Sequence, residues 1–352
     1  MRIISIDSVV GSEILAKDIV NSRGSVLMPA GTKLKKVYVE RLRDLEVEFI
    51  YIEDEISQGI NLMESLEFQI KEECLDTVKN ILLKYSYDDN SKQEEIRGLA
   101  NKIIIDVMDE PEVVYNLSTI RSRSDSIYSH SINVCAISVI IALRLKLSQK
   151  KIKEIAIGCL LHDIGFTFMS MDYGDLNIEA VTEKQMKEIK KHVIYGYSAI
   201  KKMDWLSPTS KDIMMKHHER IDGTGFPFRL RDKDIDIGVR IASVCDHFDN
   251  LVYGNCTEKL KVHQAIDYIV SQAGFEFDFD VVDVFVESVA AYPIGEMVIT
   301  NQKEIGIVLR QNPKSPTRPI IRIIKDKDGN KPSQLTEKDL IKELTLFIEA
   351  AI

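Results

Sequence analysis

In the stretch LLHDIGF, residues 160–166, a histidine and an aspartate stand side by side where an apolar run stops at a glycine. Imidazole and carboxylate can exchange protons, form a buried hydrogen-bonded pair, or bind a cation. Of the seven histidines in the chain, His130, His162, His192, His217 and His218 recur on apolar helical patterns, together with Asp163 and Asp246. One such residue in a core is usually structural. Several aimed inward from separate helices call for a shared partner, and a metal centre is the economical one. The thiolates of a structural zinc site are missing, and the set is too large for one ion, so it suits two ions sharing an aspartate. The chemistry expected of such a centre is metal-assisted hydrolysis of a phosphoester.

The elements that must position these groups are legible from periodicity. Ile152, Ile155, Ala156 and Cys159 form an apolar line that runs on to Asp163, while His162 follows Ile155 and Gly158. His130 opens a nearly all-apolar helix and aligns with Val134, Ile137 and Ile141. Thr182 and Gln185 make a capping-box signature for a helix expected to carry His192 among Met186, Ile189, Val193 and Gly196. His217 and His218 follow Ile213 and Met214 at four-residue spacing, and Val239, Ala242, Asp246 and Asp249 share one stripe. Asp249 is expected to sit behind the ligands.

At 352 residues with formal charge −9, the chain can bury a large core and is a poor candidate for coating duplex nucleic acid. Its cysteines, Cys74, Cys135, Cys159, Cys245 and Cys256, are scattered without a CxxC pair, which fits a reducing cytoplasm. The longest apolar run is interrupted at Arg144, so no membrane span is expected. Residues 1–56 read as a small α+β accessory module, 57–111 as a helical connector, 112–294 as the main helical domain, and 295–352 as a β-rich cap closed by a short C-terminal helix.

The segments YSHSINV, LLHDIG, KKHVIYGY, HHERIDGTGFP and RIASVCDHFDNL together resemble the HD-GYP family of HD-domain phosphohydrolases, in that family's order and spacing. The resemblance implies a mainly α fold, an HD-domain helical bundle with small terminal accessories. It implies a cyclic di-GMP phosphodiesterase that yields the linear dinucleotide or GMP. It further implies two divalent ions, iron or manganese. One would be held by His130, His162, Asp163 and Asp246, and the other by Asp163, His192, His217 and His218. Asp163 would be the bridge that also orients a metal-bound hydroxide. Family members with a third ion carry a glutamate where this chain has Ser126.

Substrate contacts are expected from Arg220, Phe226, Asp222 and Lys191, with Asp222 also able to shape the turn of its loop. Two departures touch the signature itself: Phe166 stands where the family has a lysine, and Phe226 where it has a tyrosine. The segments TFMSMDYGDLNIEAV and YGNCTEKL lack the family's usual basic residues. The metal shell is thus complete and the anion-binding shell thinned, so turnover is expected to be slow and a lysine restored at 166 to raise it. A catalytically weak cyclic di-GMP sensor, or a hydrolase of another nucleotide phosphoester, is the alternative. The terminal modules leave room for a homodimer or a signalling partner.

Overall fold

A computed structural model of the chain describes residues 1–20, 26–45, 47, 49–60, 90–109, 126–169, 181–253, 259–313, 315–332 and 334–352. Much of the expected connector, the later part of TFMSMDYGDLNIEAV, most of YGNCTEKL, and Cys74 and Cys256 lie outside the described residues. The chain divides into two compact units, Met1–Phe68 with Asn116–Asp125 and Ala290–Ile352, and Gln69–Tyr115 with Ser126–Val289.

The second unit is the mainly α part that the sequence pattern requires. Its helices are α2 (Asn90–Asp109), α3 (Ser126–Arg144), α4 (Gln149–Leu161), α5 (Glu183–Ile189), α6 (His192–Ile200), α7 (Pro208–Lys216), α8 (Ile237–Tyr253), α9 (Val262–Ser271) and α10 (Phe279–Ser288). A 3-10 helix, Ile164–Phe168, follows α4. Helix α3 is the axis of the unit. Ile132, Val134, Cys135, Ile137, Val139 and Ile141 on it are fully buried, as expected of a helix apolar on every side. Each such side chain contributes roughly 1.5–3 kcal/mol by leaving water, so this unit is a rigid frame for whatever projects from its helices. Local signals set the helix starts: Ser148 and Ser207 cap α4 and α7, and Thr182 with Gln185 forms a full capping box on α5.

The other unit joins both ends of the chain. Strands β1 (Arg2–Ser5), β2 (Ile14–Leu15) and β5 (Phe49–Glu53) form a three-stranded sheet in the order β1-β5-β2. Beside it in sequence are the hairpin β3 (Ile19–Val20) with β4 (Val26–Met28) and helix α1 (Lys36–Asp44). From the C-terminal part, β6 (Met297–Thr300), β7 (Ile305–Arg310), β8 (Ile320–Lys325), β9 (Thr336–Asp339) and β10 (Ile348–Ala351) form an antiparallel sheet ordered β10-β6-β7-β8-β9. Ile60 packs with Ile307, Leu309 and Ile324 in one apolar cluster, so the accessory module and the cap share a core.

Two boundaries differ from the sequence expectation. The closing helix is absent: β9 and β10 occupy the last stretch, because Leu340 and Leu346 pack into the cap's core and β10 pairs with β6. The helix expected to run from Thr182 through His192 is broken at Lys190 and Lys191, which places His192 at the first position of α6.

Candidate metal centre

Five segments deliver the histidines and aspartates to one place. His130 comes from the first turns of α3, His162 caps the C-terminus of α4, and Asp163 follows it. His192 starts α6, His217 and His218 follow the last turn of α7, and Asp246 lies within α8. The glycine in LLHDIGF is a packing requirement. A Cβ on Gly165 would stand 1.8 Å from the His192 carbonyl oxygen, so only glycine lets the turn carrying Asp163 lie against the start of α6. Gly225 does the same for the signature loop, where a Cβ would stand 2.4 Å from Arg220 N.

Four imidazoles are held in one orientation by their Nδ1 atoms. Nδ1–H donates to Asp249 Oδ2 from His130 (2.6 Å), to Cys159 O from His162 (2.7 Å), to Ile189 O from His192 (2.7 Å) and to Ile213 O from His217 (3.0 Å). Asp249 is itself fixed by Asn133 Nδ2, which donates to Oδ1 at 2.8 Å. With these acceptors in place the proton resides on Nδ1, and every Nε2 presents its lone pair inward.

Those lone pairs converge on Asp163. Its Oδ2 faces His162 Nε2 at 3.4 Å and His130 Nε2 at 3.5 Å, while its Oδ1 faces His192 Nε2 at 3.4 Å and His217 Nε2 at 3.7 Å. Asp246 Oδ1 lies 3.1 Å from His130 Nε2 and accepts from Asn250 Nδ2 at 2.9 Å. Its other oxygen, Oδ2, is buried without a hydrogen bond and faces His218 Nδ1 at 3.5 Å. Grouped by ligand atoms, His130, His162 and Asp163 make one set able to hold a cation, His192, His217 and His218 another, and His162, His217 and Asp246 a third.

The electrostatics ask for positive charge at the centre. Burial opposes a charged His130, yet hydrogen bonds to Asp246 and Asp249 push its pKa up to about 10. Burial and neighbouring imidazoles hold His217 well below the usual histidine range, and burial does the same to His218. Burial would raise the Asp246 carboxyl, but His218 and the bonded His130 and His162 hold it well below the carboxylate range. The Nε2 atoms of His130 and His162 stand only 3.1 Å apart, so either a proton or a cation has to lie between their lone pairs. Together with the unbonded oxygen of Asp246, these features fit borderline divalent metals bound through nitrogen and oxygen.

The comparisons agree with this geometry. The HD-domain family profile matches residues 112–281, and the profile of a KOW domain associated with the HD domain matches residues 297–352. A cyclic di-GMP phosphodiesterase of Pseudomonas aeruginosa is 30% identical over 227 residues, covering 64% of this chain and 54% of that protein. One of Borreliella burgdorferi is 26% identical over 199 residues, covering 55% and 51%. A 3'3'-cGAMP-specific phosphodiesterase of Vibrio cholerae is 24% identical over 262 residues, covering 72% and 48%. The chain spans about half the length of these curated relatives. A solved structure described as an HDG"Y"P protein from Bdellovibrio bacteriovorus shares the fold, with TM-score 0.54 and 17% identity over 80% of this chain and 97% of that one. Residues 112–281 carry an HD domain.

Around this HD domain the residues expected to meet substrate are mostly engaged elsewhere. Arg220 donates to Ser243 Oγ at 2.6 Å, lies 3.4 Å from Glu276 Oε2, and stacks on Phe277, which ties the signature loop to α8. Asp222 accepts from Thr224 N and Oγ1 and so shapes the turn. Lys191 pairs with Glu188 at 2.6 Å. Phe226 stacks on His218, with ring centroids 4.6 Å apart and planes at 22°. Phe166 is buried and stacks on His192, with centroids 4.3 Å apart and planes at 12°.

Sequence reasoning passed over Glu219. Its buried carboxylate accepts from Phe228 N at 2.6 Å and Leu230 N at 2.9 Å, closing the signature loop. Its place beside the paired histidines, ahead of two glycines, was the available signal. The side chain of Ser126 lies outside the described residues.

Proposed function

We propose that this protein is a binuclear metal-dependent phosphodiesterase that hydrolyses cyclic di-GMP to the linear dinucleotide and onward to GMP. The observation that carries the reading is the division of Asp163, whose two carboxylate oxygens face two different pairs of Nε2 atoms. A bridging carboxylate between two divalent ions needs that arrangement. One ion would take His130, His162, Asp163 and Asp246, the other Asp163, His192, His217 and His218, with iron or manganese suited to the donors. When bound, the ions supply Lewis acidity toward a phosphoryl oxygen and lower the pKa of a water.

The chain's own residues do the rest. Asp249, Cys159 O, Ile189 O and Ile213 O lock ring orientation, so the ligands are arranged before any cation arrives. His218 is the most exposed of the seven, its side chain 19% accessible, and substrate enters on its side. Phe226, stacked there, offers a guanine the face that the Lys190 ammonium now covers, once that ammonium moves aside. Arg220 and Asp222 act by shaping the loop, and Lys191 by capping the turn before His192. Phe166 offers no hydrogen-bond donor to phosphate. Loss of one such donor typically costs about a hundredfold to a thousandfold in rate, so turnover is slow.

The engagement of Arg220 and the ring at 166 favour a second reading, a sensor that binds cyclic di-GMP and signals through its terminal modules to a second copy or a partner. Among the described residues no helix is long and apolar enough to cross a membrane. Cys135, Cys159 and Cys245 are buried thiols outside any disulfide, which suits a cytoplasmic site of action. The deciding experiment is anaerobic purification under metal-replete conditions, elemental analysis, and separation of products after incubation with cyclic di-GMP. Two ions per chain and a linear product are expected. At most one ion per chain in repeated preparations would overturn the binuclear reading, and two ions with ligand retained uncleaved would favour the sensor.

A further inference from the structure

Cyclic di-GMP carries two phosphodiesters on opposite sides of its ring, so when one lies at the proposed metal centre the other keeps its charge and needs a cation elsewhere. The chain is acidic overall, with formal charge −9, so that cation has to be local. Four basic residues beside the motifs are committed to acidic partners. Lys191 pairs with Glu188 at 2.6 Å, Lys216 with Asp212 at 2.8 Å, Arg220 with Glu276 at 3.4 Å, and Arg240 with Asp278 at 2.6 Å.

Lys190 is different. It is exposed and forms no ion pair among the described residues, and its ammonium lies over the ring of Phe226, 5.0 Å from the centroid. That ring stacks in turn on His218, the ligand at the open side of the centre. The break between α5 and α6 makes this possible, because Lys190 caps α5 while His192 begins α6. An ammonium is thus carried at the mouth, one ring removed from a metal ligand, with its hydrogen-bond donors unspent.

We infer that Lys190 binds the second, unreacting phosphodiester of the cyclic dinucleotide, an inference that rests on the phosphodiesterase reading. Lys190 is therefore a specificity residue: it separates a ligand with two phosphodiesters from one with a single phosphodiester. It contributes equally to bound substrate and transition state, so its loss falls on KM and spares kcat. Being exposed, the contact weakens as salt is raised.

The test compares Lys190→Ala, Lys190→Arg and Lys187→Ala, in the full-length metal-loaded protein, on cyclic di-GMP and on bis(p-nitrophenyl) phosphate, which has one phosphodiester. Lys187 is exposed on α5 and serves as the control for general charge. The Lys190→Ala change is expected to raise KM for cyclic di-GMP about tenfold, the scale of a hydrogen bond to a charged group. Metal content, kcat, and KM for the chromogenic ester are expected to stay within about twofold, the range of a minor surface change. Lys190→Arg retains most of the affinity. Where turnover is too slow to follow, equilibrium dialysis with cyclic di-GMP gives the same comparison. An unchanged KM for cyclic di-GMP, an equal rise for both esters, or an equal effect of Lys187→Ala overturns the inference and leaves the phosphodiesterase reading standing. A wild type that holds two ions and neither binds nor cleaves cyclic di-GMP overturns both.

Discussion

At the scale of single residues Asp163 is the proposed bridge, because its two oxygens face different Nε2 atoms. Asp163→Ala is expected to lose both ions at once and abolish hydrolysis, while circular dichroism shows the helices retained. A variant that keeps one ion by elemental analysis would remove Asp163 from the bridge. Phe166 has a second aspect that its sequence position does not reveal. Beyond lacking a donor, it holds the His192 ring by stacking, a contact worth roughly 0.5–1.5 kcal/mol beyond burial. A lysine there would give up the stack and bury an ammonium beside the proposed metal ligands, which is costly. The gain in rate expected from sequence is therefore replaced by the opposite outcome. Phe166→Lys should lower metal content and bring no faster cleavage, whereas Phe166→Tyr should keep both ions. Faster cleavage by a fully loaded Phe166→Lys protein would show that the missing donor dominates.

At the scale of elements, the site depends on how closely the 3-10 turn after α4 approaches the start of α6. Gly165→Ala would force these backbones apart, since the added carbon would meet the His192 carbonyl at 1.8 Å. It should destabilise the protein by about 1–3 kcal/mol, as overpacking does, and weaken metal binding by separating Asp163 from His192. Thermal unfolding with a metal titration checks this; an alanine variant with wild-type stability and metal affinity would sink it. The helical stripes made the convergence of these histidines and aspartates legible, since inward direction on a helix follows from spacing alone. The stacks of Phe166 on His192 and of Phe226 on His218 were not legible, because the first joins two separate segments and the second depends on how the signature loop folds back. Nor was the break before His192: lysines are good helix formers, and only tertiary packing ends α5 there. The short C-terminal helix expected from sequence gives way to β10, whose pairing with β6 comes from tertiary structure.

At the scale of the molecule, the two compact units offer separate handles on stability. Every proposed metal ligand lies in the mainly α unit, whereas the terminal modules share a core of their own. Within that second core Arg322 on β8 donates to Ile56 O and Gln58 O and pairs with Glu337 at 3.0 Å. Its planar guanidinium thus joins the two ends of the chain in one unit. Metal stabilises whatever part of the chain binds it only when folded, by about 4 kcal/mol for one site at a free concentration a thousandfold above Kd. Chelation is therefore expected to lower the unfolding temperature of the α unit and leave that of the terminal unit nearly unchanged. Arg322→Ala should do the reverse, costing the terminal unit about 1–3 kcal/mol for hydrogen bonds from a charged group while metal content and the metal-dependent transition hold. Scanning calorimetry of wild type and variant, each with metal and with chelator, separates the two effects. If Arg322→Ala lost its metals, or if chelation shifted both transitions by the same amount, the two units would not be independent in stability.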